Sequence, residues 1–226
     1  MDLTGFELAD VPLALAERHG AVAVGTSIEL VLASGDAHHV ERGRAVVAAG
    51  GFEIVRWDVA PDRIEITATA QRALPDHVGA DMRLLCCGLN PSLHAADAGV
   101  GYVTGSNRFW RAMALAGLST GDRDPFHLLR HDRIGMTDLV KRATARADEL
   151  AASEYREGVD RLDALCDWLR PAAVAVVGLA GWRAAVDRKA SEVAFERLID
   201  SCRFEDDGEA LVARFSDARI NPFLKA

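Results

Sequence analysis

A chain of 226 residues, half of them hydrophobic, is long enough to bury one large core or two small ones. Charged residues make up 27%, an ordinary globular share that excludes a disordered or fibrous class. No run of about 18 apolar residues offers a transmembrane helix, and a net charge of −8 speaks against a general nucleic-acid binder, which is normally basic.

In chain order, Val11–Arg18 has helical periodicity and Thr26–Leu32 alternates like a strand. Val40–Ala49 reads as a second helix. Phe52–Val59 and Arg63–Ala68 read as a hairpin turning at Pro61–Asp62. This α-β-α-β-β succession resembles the C-terminal part of a class I methyltransferase fold. The strand, Gly-rich loop and helix that hold S-adenosylmethionine there have no counterpart here, so residues 1–79 are expected to form a small, non-catalytic α/β domain. Leu74–Gly79 has the turn chemistry of a linker. Residues 80–190 follow as a second domain. In it Arg83–Cys87 is a short apolar run, Arg108–Ala116 and Glu154–Leu169 are helical, and Pro171 closes the latter before a buried strand at Ala172–Val177. Strands alternating with helices predict an α/β/α layer structure around a mostly parallel sheet. The tail, 191–226, is expected to be helical and then a hairpin around Asp206–Asp207–Gly208.

The four cysteines lack C-x-x-C spacing, and the adjacent Cys86 and Cys87 point to opposite faces of a strand. They are expected to be buried thiols, with no metal implied. The N-terminal residues have no basic leader, so the expected location is the cytoplasm. Between Arg108 and Arg146 stand eight basic and four acidic residues, an excess that suits a phosphate-binding surface as well as a solvated face.

Chemistry is expected where the Arg83–Cys87 strand ends, because open α/β sheets bind ligands beyond the carboxyl ends of their strands. There Gly88 permits an unusual turn, Pro91 stiffens the next step, and Asn90 is presented with both a donor and an acceptor. Further on come Gly99–Val100–Gly101–Tyr102, then Asn107–Arg108–Phe109–Trp110, then Ile134–Gly135–Met136–Thr137–Asp138–Leu139–Val140. In order and spacing, residues 82–189 resemble the Mug and thymine-DNA glycosylases, mismatch-specific uracil-DNA glycosylases whose pattern joins a G-L-N-P-type loop to an N-R-F-W element.

The resemblance implies a uracil-DNA glycosylase-like fold and cleavage of uracil or thymine from DNA in base-excision repair. It implies Asn90 as the catalytic residue, positioning a water. Gly88, Leu89, Pro91, Ser92, Tyr102, Asn107 and Arg108 would bind substrate, Tyr102 by stacking on a flipped base. Asn107 is also suited to cap the helix behind it, and Phe109 and Trp110 to fill the core. His94 is a weaker candidate for proton chemistry, and Glu154 with Glu157 reads as a solvated face. The partner implied is double-stranded DNA with a G·U or G·T mismatch, bound by a monomer without cofactor or membrane. The family's second motif, an N-P-S-G-L wedge near the C-terminus, is not found. Its nearest echo is Asn221–Pro222–Phe223–Leu224. The alternative is therefore a non-catalytic DNA-binding or interaction protein on a glycosylase fold.

Overall fold

Alternating apolar residues decide the first sheet. In β1 (Ser27–Ala33) Ile28, Leu30 and Leu32 are buried, and in β3 (Arg63–Ala70) Ile64, Ile66, Ala68 and Ala70. The two strands pair antiparallel, and β2 (Phe52–Val59) pairs antiparallel with the other edge of β3, giving the order β1-β3-β2. Helices α1 (Val11–Gly20) and α2 (Ala37–Ala49) supply Leu15, Val46 and Val47 to the same core. Each large aliphatic side chain buried there contributes about 1.5–3 kcal/mol. Asp36 starts α2 ahead of Val40, because its carboxylate accepts the His39 N–H at 2.8 Å. The structure, a computed structural model, describes residues 1–178, 183, 204–205 and 212–213.

The second sheet is parallel, with β4 (Leu84–Gly88) between β5 (Ile134–Asp138) and β6 (Val174–Val176). Cys86 and Cys87 do face opposite ways. Cys87 packs with Leu162, Leu165 and Leu169 of α6 (Ala152–Leu169), whereas Cys86 packs with Trp110 and Met113 of α4 (Phe109–Leu115) and Leu128 of α5 (Pro125–Arg130). The sheet thus has helices on both faces, the expected α/β/α arrangement. Burial pushes the Cys86 thiol up to about 12 and Cys87 higher still, so both stay protonated. Helix α6 stops at Arg170, whose left-handed φ of 46° precedes Pro171.

Three elements carry no clear sequence pattern. All five residues of β5 are buried, so no alternation marks them. The six-residue helices α3 (Leu93–Ala98) and α5 are too short for periodicity and rest on caps, from Ser92 to the Ala95 N–H and from Asp124 to Phe126 and His127. In the tail, β7 (Phe204–Glu205) and β8 (Val212–Ala213) pair antiparallel, flanking the anticipated turn. That turn itself, the helix expected from residue 191, the end of the motif pattern near residue 189 and Asn221–Leu224 lie outside the described residues.

The segment expected to be a linker is buried along its whole length, Leu74 to Gly79. His77 exchanges backbone hydrogen bonds with Met136 of β5 at 3.0 and 2.8 Å, and the Asp76 N–H reaches the Ala49 carbonyl at the end of α2. Pro, Asp and Gly report local backbone preference, and here buried partners override the solvent exposure such residues suggest. Trp168 of α6 packs against both the first core and the core behind Cys87, so the two sheets share a seam.

On that seam's inner side, Gly158 of α6 lies against Leu139, and an added β-carbon would overlap its carbonyl oxygen and stand 2.9 Å from its carbonyl carbon. A Gly→Ala change inside a helix ordinarily gains up to about 1 kcal/mol. Here overpacking against backbone costs about 1–3 kcal/mol. Gly158→Ala is therefore expected to lower stability in a urea titration.

Candidate active site

The loop beyond β4 is clamped to the chain beyond β5. The Leu139 and Val140 N–H groups donate to the Gly88 and Leu89 carbonyls, both at 2.9 Å, and the Thr144 N–H reaches the Pro91 carbonyl at 3.1 Å. Asn90 is locked within this clamp. Its Nδ2 donates to Thr144 Oγ1 at 2.7 Å and to the Pro91 and Arg142 carbonyls at 3.2 Å each. Carbonyls only accept, so the amide orientation is fixed, and Oδ1 has no partner among the described residues.

Asn90, Leu89, Pro91 and Ser92 line a cavity of about 410 Å³ together with Tyr102, Asn107, Met136, Thr137, Asp138 and His77. Tyr102 holds a left-handed φ of 57° and stacks on Phe109, ring centroids 4.2 Å apart. Phe109 in turn meets Trp110 edge-on, and the Trp110 Nε1–H donates to the Gly101 carbonyl at 2.9 Å. A β-carbon on Gly88 would overlap Asp138 Oδ1 and stand 2.7 Å from the Tyr102 hydroxyl. Only glycine fits there.

Behind the cavity lies a buried charge cluster. Asp76 accepts from Thr137 Oγ1 at 2.7 Å, Lys141 Nζ at 2.6 Å and Arg161 Nη1 at 2.9 Å. Burial opposes its ionisation, but Lys141, Arg161 and these hydrogen bonds hold its carboxyl below the usual range. His77, buried beside Lys141, is pushed down to about 4 and is neutral near pH 7. Asp138, 8% exposed, has neither a hydrogen bond nor an ion pair to its carboxylate among the described residues. Burial pushes it up to about 6. The Tyr102 hydroxyl is likewise buried without a partner, and burial raises its titration far above the ordinary phenol range.

Of the residues singled out in the sequence, the structure brings Leu89, Asn90, Pro91, Ser92, Tyr102 and Asn107 around one cavity, and Gly88 lies against two residues of its lining. The Gly88 and Leu89 carbonyls each accept one backbone hydrogen bond in the clamp. Ser92 caps α3, and Asn107 Oδ1 accepts the Phe109 N–H at 2.9 Å, so Asn107 both lines the cavity and holds its helix. Arg108 is exposed outside the lining, as is His94. Glu154 bonds Arg142 at 2.7 and 3.0 Å and the Ala151 N–H at 2.8 Å, contacts that hold it down to about 2, so it is a structural cap. Sequence reasoning missed Thr144, Asp138 and Asp76. Asp138 had one usable signal, an acid at the carboxyl end of a strand beside a glycine-turn loop.

A cavity at the carboxyl ends of a parallel sheet, walled by a clamped amide loop and a stacked tyrosine, defines an α/β protein with a ligand-sized site where open sheets bind their ligands. The family model of the Uracil DNA glycosylase superfamily matches residues 75–216, and the chain belongs to this superfamily. The match begins inside the buried 74–79 segment and runs past residue 189 into the tail. Membership assigns the chain to the DNA glycosylases, hydrolases of DNA repair, and makes DNA its partner. No helix among the described residues is long and apolar enough to cross a membrane.

Removing one partner of a buried ionic cluster costs about 3–5 kcal/mol. Asp76→Asn should therefore unfold at markedly lower urea near pH 7. A carboxyl with a depressed folded pKa stabilises above its unfolded value of about 3.9 and loses that contribution as pH falls through its folded value. The gap between wild type and Asp76→Asn should therefore narrow below about pH 4.

Proposed function

We propose that the protein is a mismatch-specific glycosylase that hydrolyses the N-glycosidic bond of uracil, or thymine, opposite guanine in double-stranded DNA, with Asn90 as its catalytic residue. One observation carries this reading: three acceptors fix the amide nitrogen of Asn90, a residue lining the cavity, and leave its Oδ1 without a partner among the described residues. The nucleotide flips out of the stack into the cavity, where Tyr102, already braced on Phe109, offers a ring. Asn90 Oδ1 accepts a hydrogen bond from a water and aims its oxygen at C1′. The C1′–O bond forms as the C1′–N1 bond breaks. The electron pair leaves with N1 of the base, the proton released by the water ends on that base through solvent, and the products are the neutral free base and an abasic site. An amide does not titrate near neutral pH, so orientation and stabilisation of the departing base supply the rate.

The basic stretch Arg108–Arg146 supports the DNA reading selectively. Lys141, Arg142, Arg146 and Arg130 are tied to Asp76, Glu154, Asp148 and Glu17. Arg108 and Arg111, exposed at the start of α4 beside Asn107, have no acidic partner among the described residues and are proposed to contact phosphate. Residues 1–79 are proposed to act as a structural domain that seats Asp76 behind the cavity, with 80–190 as the glycosylase domain and 191–226 as a divergent tail.

The test is single-turnover cleavage of a labelled duplex bearing a G·U mismatch. Wild type should release uracil, and Asn90→Ala should lose at least about 10²-fold in rate, the scale of losing a positioned group. No release from G·U, A·U or single-stranded uracil would leave a DNA-binding protein on a glycosylase fold. In a second measurement, Arg108→Ala should weaken duplex binding regardless of sequence and reduce the slope of log affinity against log salt by about 1.

A further inference from the structure

A second cavity, of about 520 Å³, lies on the seam where Trp168 packs against both cores, and it shares no lining residue with the Asn90 cavity. Both halves of the chain build it. Val46 of α2, Val78 of the buried joining segment, and Leu165 and Trp168 of α6 form apolar walls, and Asp76 and Arg161 complete the lining. Small-molecule sites span roughly 300–1,000 Å³ and combine apolar walls with a few placed polar groups, and this cavity has both properties.

The polar groups narrow what fits. Arg161 donates through Nη1 to Asp76 and through Nη2 to Thr137 and the Asp138 carbonyl, but its Nε is buried with no hydrogen-bond partner among the described residues. A buried donor left unmade is costly, and an acceptor brought against it removes that cost. Charge sets a second condition. Arg42, Arg161 and Lys141, which bonds Asp76 from outside the cavity, stand against Glu41, Asp76 and Asp167. His38 apart, the charges balance, so nothing holds an ion there, and burying a further charge beside apolar walls is expensive. We propose that the seam cavity is a binding site for a small uncharged molecule with an apolar body and a carbonyl-type acceptor that Arg161 receives.

Two groups on the cavity report its occupancy from different sides. The Trp168 indole lies in the wall, with the Arg42 guanidinium 5.2 Å from its ring centroid. Arg161 holds Thr137 and the Asp138 carbonyl at the end of β5. A ligand that engages Arg161 therefore perturbs the end of β5 as well as Trp168. The site stands independently of the glycosylase reading, and its test needs no DNA.

The experiment is an NMR titration of the full-length, ¹⁵N-labelled protein with 1-indanone, and in parallel with indane, the same ring system without the carbonyl. The Trp168 indole N–H signal, identified by its loss in Trp168→Phe, and the Thr137 and Asp138 amide signals should move together with 1-indanone. One Kd, on the order of 1 mM for so small a probe, should describe all three. Indane should bind about tenfold more weakly, the scale of one hydrogen bond to a charged donor. Ala164→Trp, which fills the cavity from an exposed position on α6, should abolish the shifts while unfolding at the same urea concentration as wild type. Arg161→Lys would also loosen the Asp76 cluster, so the comparison of the two probes on wild type is the test of the acceptor. No shift at about ten times the expected Kd overturns the proposal, as does binding that survives Ala164→Trp. Equal affinity for indane, or a Trp168 shift without one at Thr137 and Asp138, overturns the ligand class.

Discussion

The carboxylate of Asp76 is the constraint on which the rest of the site depends. It lies in the buried segment joining the two sheets and takes hydrogen bonds from Thr137 of β5, Lys141 just beyond it and Arg161 of α6. Arg161 also bonds Thr137 Oγ1 at 2.8 Å and the Asp138 carbonyl. Three segments distant in sequence are thus fixed to one point. A buried ionic cluster adds little net stability over a well-packed apolar one, because desolvation offsets most of the attraction. Its effect here is geometric: the end of β5 has one position, and with it Asp138 and the run to Thr144.

From that fixed point the site is built by backbone pairing that outlasts the strands. The β4–β5 ladder ends at Gly88 and Asp138, but hydrogen bonds continue from Leu139, Val140 and Thr144 to Gly88, Leu89 and Pro91. The Asn90 side chain closes the same clamp through Thr144. An amide that neither ionises nor attacks can assist a reaction only through its position, so a clamped loop suits it better than a mobile one. The other wall is stiffened through Tyr102, Phe109 and Trp110, a run of aromatic contacts ending in the α/β core.

Much of this was legible from local pattern. The strands of the first sheet were visible because one face is buried and the other is not, so β1 and β3 alternate. Helices α1, α2, α4 and α6 were visible from their spacing of apolar residues, and the bounds of β2 and the end of α6 from Gly and Pro. The loop Gly88–Ser92 and the aromatic at Tyr102 were marked by motif order. In contrast, β5 is buried on both faces and reads like any apolar run, while α3 and α5 are single turns and a half held by caps.

By itself, then, the sequence determined a layered α/β protein with an Asn90 loop at the end of a strand, because periodicity, turn residues and motif spacing are properties of neighbouring residues. Tertiary structure alone decided that Leu74–Gly79 is buried, that Thr144 locks Asn90, and that Asp138 lines the cavity near Tyr102 with no carboxylate partner among the described residues. Those facts rest on contacts between residues far apart in the chain, such as Asn90 with Thr144, 54 residues on, and Asp76 with Thr137, 61 residues on. A carboxylate in sequence is only a charge. Whether it is solvated, paired or left bare in a pocket depends on what the fold brings against it.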